Sequence, residues 1–249
     1  DESKFDIDVD LGILTFKVYS QLALNNPQDA VITLGRLENV SPDADCYTLM
    51  AEAQFMLGDI EMVDQALSRL NELGIDPVQV VIKRVKAHGA VGDYDRAMEI
   101  VNDTLALEDY RENAMLLKSL GILHLQAGQP AEALAVFDRE EASLAANPLE
   151  ETDLYLPVNK ARALMALDRD VEAADQLERF EATVTPEDTL AWPSLLQWRA
   201  ALFLRAEGPF YDPEQALELC NEGLFRTQRR HPPFFDQSIE AFVALGDLD

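Results

Sequence analysis

The chain has 249 residues, with 46 Asp plus Glu against 20 Lys plus Arg and a formal net charge of −26. So large an acidic excess argues against a nucleic-acid binder, which needs clustered cations over its contact surface. Yet 48% of the residues are hydrophobic, too many for a disordered chain and enough to bury a sizeable core.

Other exclusions follow from single residue types. Only Cys46 and Cys220 occur, so neither a disulfide framework nor a Cys-rich zinc site is available. No run approaches the eighteen or so apolar residues of a membrane span, and the start DESKFDIDVD is acidic where a secretory leader would be basic and then apolar. A soluble chain without membrane insertion is expected, with cytoplasm favoured over periplasm and the compartment otherwise open. The start at Asp1, without Met, points to a fragment of something longer.

In chain order, residues 1–10 read as a flexible acidic leader. The carboxylates of DVDLG at 8–12 lack the ligand spacing of a calcium loop. From residue 11 the chain repeats itself. A first copy of a phrase, NNPQDAVITL at 25–34, is followed by LGDIEMVDQAL at 57–67, VGDYDRAMEIV at 91–101, AGQPAEALAVF at 127–137, LDRDVEAADQL at 167–177 and FYDPEQALELC at 210–220. The period is about 34 residues, with loop insertions in the later copies. Each unit has one logic. A first segment carries apolar residues at helical spacing, as in Leu116, Leu117, Leu120 and Leu123, and stops at a Gly or Asp such as Gly128. A second amphipathic stretch follows, with Ala133, Leu134, Val136 and Phe137 as its stripe. Six helical hairpins are predicted, at about 11–43, 44–77, 78–112, 113–148, 153–187 and 188–231, then a terminal helix at 233–249 that is either a cap or the start of a seventh unit. No helix of a pair can bury its apolar face alone, so neighbouring hairpins must stack.

This pattern resembles the tetratricopeptide repeat family. A small residue fills the middle of the first helix at Ala51, Gly121 and Ala161. An early Ala stands in the second helix at Ala30, Ala97, Ala133, Ala173 and Ala216, and a larger residue follows four positions on at Leu34, Val101, Phe137, Leu177 and Cys220. Pro42, Pro77, Pro148 and Pro186 fall near repeat ends, while Val63 and Val85 depart from the family's small residues. The resemblance implies an all-α fold, a right-handed superhelical solenoid of antiparallel helix pairs whose first helices line a concave groove.

Residues with chemistry to offer are scattered. His88, His124 and His231 lie in different repeats without metal-ligand spacing, and His124, on an apolar helix, reads as a hydrogen-bonded structural histidine. The basic run at Arg229 and Arg230 suits a helix end. No Gly-rich phosphate loop, nucleophile grouping or activated thiol is legible, so no catalysis, metal or cofactor is expected.

Charge, by contrast, is sorted. The first-helix segments 78–91, 114–127, 154–167 and 189–206 hold Lys83, Arg84, Lys86, Lys118, Lys160, Arg162, Arg199 and Arg205, and not one Asp or Glu. The second helices are the reverse. Carried onto the family's geometry, this sorting implies a negative shell around a positive furrow, with Lys83, Lys86, Met115, Lys118, Ile122, Tyr155, Arg162, Trp198 and Arg205 as groove residues. The expected partner is a protein or peptide with an acidic or carboxylate-bearing segment. Burial alone also depletes acids from first helices, and that bland explanation stands beside the functional one. Only Lys118 and Asn159 match the carboxylate clamp of chaperone-binding family members; Ile122, Trp198 and Leu202 occupy its other positions. The expected function is a non-catalytic interaction scaffold, with an assembly or secretion chaperone for an apolar client as the alternative. The terminal helix, with Phe234, Phe235, Ile239 and Phe242, is expected to need a cover and so to promote self-association.

Overall fold

The computed structural model describes residues 2–147 and 153–246, with side chains from Leu11 onward. Pro148, expected at a repeat end, lies outside the described residues, as do Asp1 and 247–249 at the margins of the expected leader and terminal helix. The described residues form thirteen α-helices and one short 3-10 turn, with no strand. They fall into two compact units, residues 1–111 and 112–249.

The first unit holds α1 (Glu2–Ala23), α2 (Pro27–Val40), α3 (Ala44–Leu57), α4 (Ile60–Glu72), α5 (Pro77–Ala90), α6 (Tyr94–Leu105) and the 3-10 turn Glu108–Tyr110. The second holds α7 (Ala114–Gln126), α8 (Pro130–Ala146), α9 (Leu156–Ala166), α10 (Asp170–Glu181), α11 (Ala191–Phe203), α12 (Pro213–Arg226) and α13 (Pro232–Leu245). One expectation is corrected here. The stretch 1–10 is not a separate leader; from Glu2 it is the start of α1, and no Gly or Pro interrupts residues 2–11 to stop a helix.

Local chemistry sets the helix ends. Asp43, Asp59, Asp93, Asn113 and Asp212 each accept a hydrogen bond from a backbone N–H of the turn they precede, satisfying one of its orphan donors. Pro27, Pro77, Pro130, Pro213 and Pro232 occupy first-turn positions, where a missing N–H costs nothing. At the turn inside a hairpin, Gly58, Gly92 and Gly128 adopt positive φ, and Asp168 takes the same conformation at φ 57°.

Packing within each unit is helix on helix. The early Ala and the larger residue four positions later form the seam: Ala30 with Leu34, Ala97 with Val101, Ala133 with Phe137, Ala173 with Leu177 and Ala216 with Cys220 are all buried. Val63 and Val85, the departures from small residues, are buried as well. Two glycines permit close approach. A Cβ on Gly121 would lie 2.3 Å from the Phe137 ring, and one on Gly223 would lie 2.2 Å from Phe234. The first allows α7 to close on α8; the second lets Phe234 of α13 lodge against α12. Phe234 is thus fully buried, whereas Phe235, Ile239, Phe242 and Val243 of the same helix stay exposed.

Glycine replacements should separate these roles. Gly223→Ala must displace a packed ring and is expected to cost about 1–3 kcal/mol. Gly35→Ala, in α2 with nothing within 4 Å of the new methyl, is expected to gain about 0.5–1 kcal/mol. Thermal melts of the two variants should move in opposite directions.

Candidate functional site

The first helices carry the sorted cations, and the structure divides them into two groups. In the first group each cation is already engaged. Arg84, directly before Val85 on α5, places Nε 2.9 Å from Asp64 of α4. Lys160, directly before Ala161 on α9, places Nζ 2.7 Å from both Asp138 and Glu141 of α8. Arg199, directly before Ala200 on α11, lies 2.8 Å from Glu181 of α10. The same first-helix position thus reaches back three times to the preceding second helix. Much of the charge sorting is therefore neutralisation between adjacent hairpins.

Two predicted groove residues belong to this engaged group. Lys118 of α7 donates to Asp153 at 2.7 Å, and Arg205, just past α11, binds Asp168 at 2.5 Å and Asp170 at 2.7 Å across the α9–α10 turn. Lys118 and Arg205, expected as groove residues, are thus paired with acids of the chain itself while staying partly exposed.

The second group has no acidic partner among the described residues. In the second unit, Arg162 of α9 has no carboxylate partner among the described residues. Its guanidinium stacks over Trp198 of α11 at 4.9 Å and donates to Asn159 Oδ1 at 3.3 Å. Desolvation holds its pKa below the usual guanidinium value, the mark of a cation withdrawn from water without a counter-charge. Of the other expected groove residues in this unit, Tyr155 of the turn before α9 packs on Phe180, Ile122 of α7 is half-buried, and Met115 of α7 is 56% exposed. In the first unit, Lys83 and Lys86 of α5 are exposed without an ion pair among the described residues. They stand over a cleft between α3 and α5 that is floored by Val63 and Leu67 of α4.

Some polar clusters were not legible in the sequence. His88 is buried between Asp64 and Asp93, at 3.2 and 3.1 Å, and with Arg84 ties α4, α5 and the start of α6 together. Glu140 of α8 is 1% exposed with its carboxyl against that of Asp153, and Glu140 Oε2 and Asp153 Oδ2 have no donor partner among the described residues. Two carboxyl groups that bond to each other must share a proton. Burial first, then the Asp153 charge and that hydrogen bond, push Glu140 up to about 8, against a smaller opposing pull from Lys118. Phe55, 41% exposed on α3 beside the cleft, was also missed. Its signal was an aromatic residue one turn past Ala51 on the same helix.

The remaining titratable candidates are structural. Burial pushes the thiols of Cys46 and Cys220 up to about 11, so neither is a thiolate at neutral pH. His124 pairs with Gln129 at 2.7 Å, as expected of a structural histidine, and His231 pairs with Gln197 at 2.8 Å. Among the described residues no group of three or more His, Cys, Asp or Glu could hold a metal, and no helix is long and apolar enough to cross a membrane.

No family model and no curated protein matches the chain. Solved structures do. The chain is similar to yeast Tom70, with a TM-score of 0.63 and 15% identity over 88% of this chain and 44% of that one. Against a chain of the APC/C hetero-tetramer Cut9-Hcn1 the TM-score is 0.61, with 15% identity over 93% of this chain and 42% of that one. Against Pseudomonas aeruginosa PilF it is 0.57, with 17% identity over 94% and 99%. The chain has the tetratricopeptide repeat fold. It spans less than half the length of the Tom70 and Cut9-Hcn1 chains it matches. At these identities the likeness establishes the helix-pair architecture, and the ligand chemistry rests on the tetratricopeptide chain's own residues.

The Glu140 cluster makes stability depend on pH in a defined sense. The folded chain keeps a proton on Glu140 up to about 8, whereas the unfolded chain releases it near 4.5. Between those values the folded state binds more protons, so stability from this group falls as pH rises and levels off above the window. Glu140→Gln supplies an N–H donor to Asp153 at every pH. Its melting temperature should match the parent near pH 5 and exceed it by a widening margin toward pH 9; parallel profiles would remove Glu140 as the cause.

Proposed function

We propose that the chain is a non-catalytic protein-interaction scaffold that docks a segment of a partner protein on its first-helix faces. The observation that carries this reading is Arg162, a half-buried guanidinium without a carboxylate partner among the described residues, in a chain of net charge −26. Burying a cation without compensation is costly, and retaining it among so many available acids is consistent with a counter-charge supplied by a ligand. Trp198 lies under the guanidinium, leaving N–H groups to meet a carboxylate and offering its own ring for apolar contact. The neighbours of the same fold support an interaction scaffold in general terms, and the acidic preference rests on Arg162.

The test begins with random peptides selected by display on the intact chain. Selected sequences should be enriched in Asp or Glu beside large apolar residues. Arg162→Ala should weaken the best of them about tenfold, or about 1.4 kcal/mol, while the melting temperature changes little. Binding that ignores both Arg162 and added salt would instead support an assembly chaperone shielding an apolar segment.

A second observation favours self-association through α13, where Phe235, Ile239, Phe242 and Val243 are exposed on a helix whose Phe234 is buried. Sedimentation velocity should show a concentration-dependent dimer that Phe235→Glu with Ile239→Glu converts to monomer. A parent that stays monomeric at high concentration would refute it.

A further inference from the structure

The register of the cations that pair with a preceding hairpin extends to α1. Lys17, Arg84 and Lys160 each stand eight positions before a turn residue of positive φ, Asn25, Gly92 and Asp168, and the three turns close with the same two backbone hydrogen bonds. On α5 and α9 an apolar residue lies four positions before the cation and an alanine three positions after it, Val80 with Ala87 and Leu156 with Ala163. All four are buried in a cluster with the apolar stripe of the preceding second helix, α4 or α8. The acid that meets the cation directly follows a residue of that stripe: Asp64 follows Val63, and Asp138 follows Phe137.

The same face of α1 is open. Ile13 and Ser20 take the places of Val80 and Ala87, yet Ile13 is 59% exposed, and Lys17 is exposed without an ion pair among the described residues. Phe16, 74% exposed, widens this apolar surface. α13 carries the complement. Its Phe234 and Ala241 are buried with Ala216 and Cys220 of α12, and its remaining surface exposes Phe235 and Ile239. Asp236 directly follows Phe235, and Glu240 directly follows Ile239; both acids are exposed without an ion pair among the described residues. An apolar residue followed at once by an acid is what α4 and α8 present to the cation of the next helix, and α13 presents it twice, one turn apart.

We infer that the chain binds a second copy of itself through unlike surfaces: α13 of one copy lies on the open face of α1 of the other, in the place that α4 takes on α5 and α8 takes on α9. Phe235 and Ile239 pack on Ile13 and Phe16, and Asp236 and Glu240 flank Lys17. The inference deepens the reading of α13 as a self-association helix and rests on it. Charge selects this pairing. α13 against α13 would set two acids of one copy beside two of the other, and α1 against α1 would oppose two lysines, whereas the unlike pairing gives each charge its partner. A contact between two different surfaces is lost when either is blocked, and copies blocked on opposite surfaces still share one good contact.

Sedimentation velocity of the full chain tests this with two double variants, Ile13→Glu with Lys17→Glu on α1 and Phe235→Glu with Ile239→Glu on α13. Each alone should stay monomeric at concentrations where the parent associates. An equimolar mixture of the two should form a 1:1 dimer, a rescue that misfolded variants could not give. Lys17→Glu alone should weaken the parent's association about tenfold, and adding Asp236→Lys with Glu240→Lys to the same chain should restore it. An α1 variant that associates as well as the parent, or a mixture that stays monomeric, would overturn the inference. In the first case α13 stands as a self-association helix and this pairing alone is rejected; a parent that stays monomeric at high concentration rejects both.

Discussion

Three cations at one recurring place, Arg84, Lys160 and Arg199, reach from a first helix to the acids of the second helix before it. Helix pairs that cannot bury their apolar faces alone must stack, and stacking brings acidic second helices against the next hairpin. Without a counter-charge at that seam, a chain of net charge −26 would repel itself where it needs to close. Partly exposed pairs such as those of Arg84 and Arg199 are individually worth only about 0.2–1 kcal/mol, so they do not hold the fold by strength. Their contribution is compatibility: they let the buried seam of Ala and larger residues form beneath a strongly acidic surface. Lys160 is the most committed of the three, because its ammonium is nearly buried and answers two carboxylates at once.

This role changes the meaning of the cations that remain. A positive charge on a first helix is ordinary if it faces the preceding hairpin and conspicuous if it does not. Lys160 and Arg162 are two residues apart on α9, hence roughly 200° apart around the helix. One turns toward α8 and is neutralised; the other turns toward α11, lies on Trp198 and has no carboxylate partner among the described residues. The lysines of α5 divide in the same way around Arg84. Function is therefore sought in what the stacking leaves over, at Arg162 in one unit and at Lys83 with Lys86 in the other.

Hairpin architecture was legible because it depends on local chemistry. Apolar periodicity, turn residues that tolerate positive φ and acidic caps all lie within a few positions of one another, and Asp168 could be placed beside Gly58, Gly92 and Gly128 from the repeat phase alone. The site was legible only in part. Charge sorting is visible in a sequence, but whether Lys118 is free depends on Asp153, which lies 35 positions away across a loop. Glu140 was invisible for the same reason, since an acid in the middle of an amphipathic second helix reads as solvated until its partner is known. The leader was misjudged because composition outweighed the absence of any helix breaker.

The acidic surface also constrains how any acidic partner can arrive. At long range a net charge of −26 repels it, but at physiological salt that field is screened beyond about 8 Å. Within that distance the nearest groups decide, and at Arg162 a partly desolvated guanidinium interacts more strongly than its exposed counterparts would. For the proposed docking, such a surface would give slow encounter and reject acidic chains that lack an apolar anchor, because a carboxylate alone gains too little to offset the approach. A segment that brings both a carboxylate and a large apolar side chain gains at contact what it loses on the way in. In the proposed docking mode, specificity on these helices would therefore rest on pairing the two chemistries at one spot, by which an acidic protein would select acidic partners without attracting acidic polymers at large.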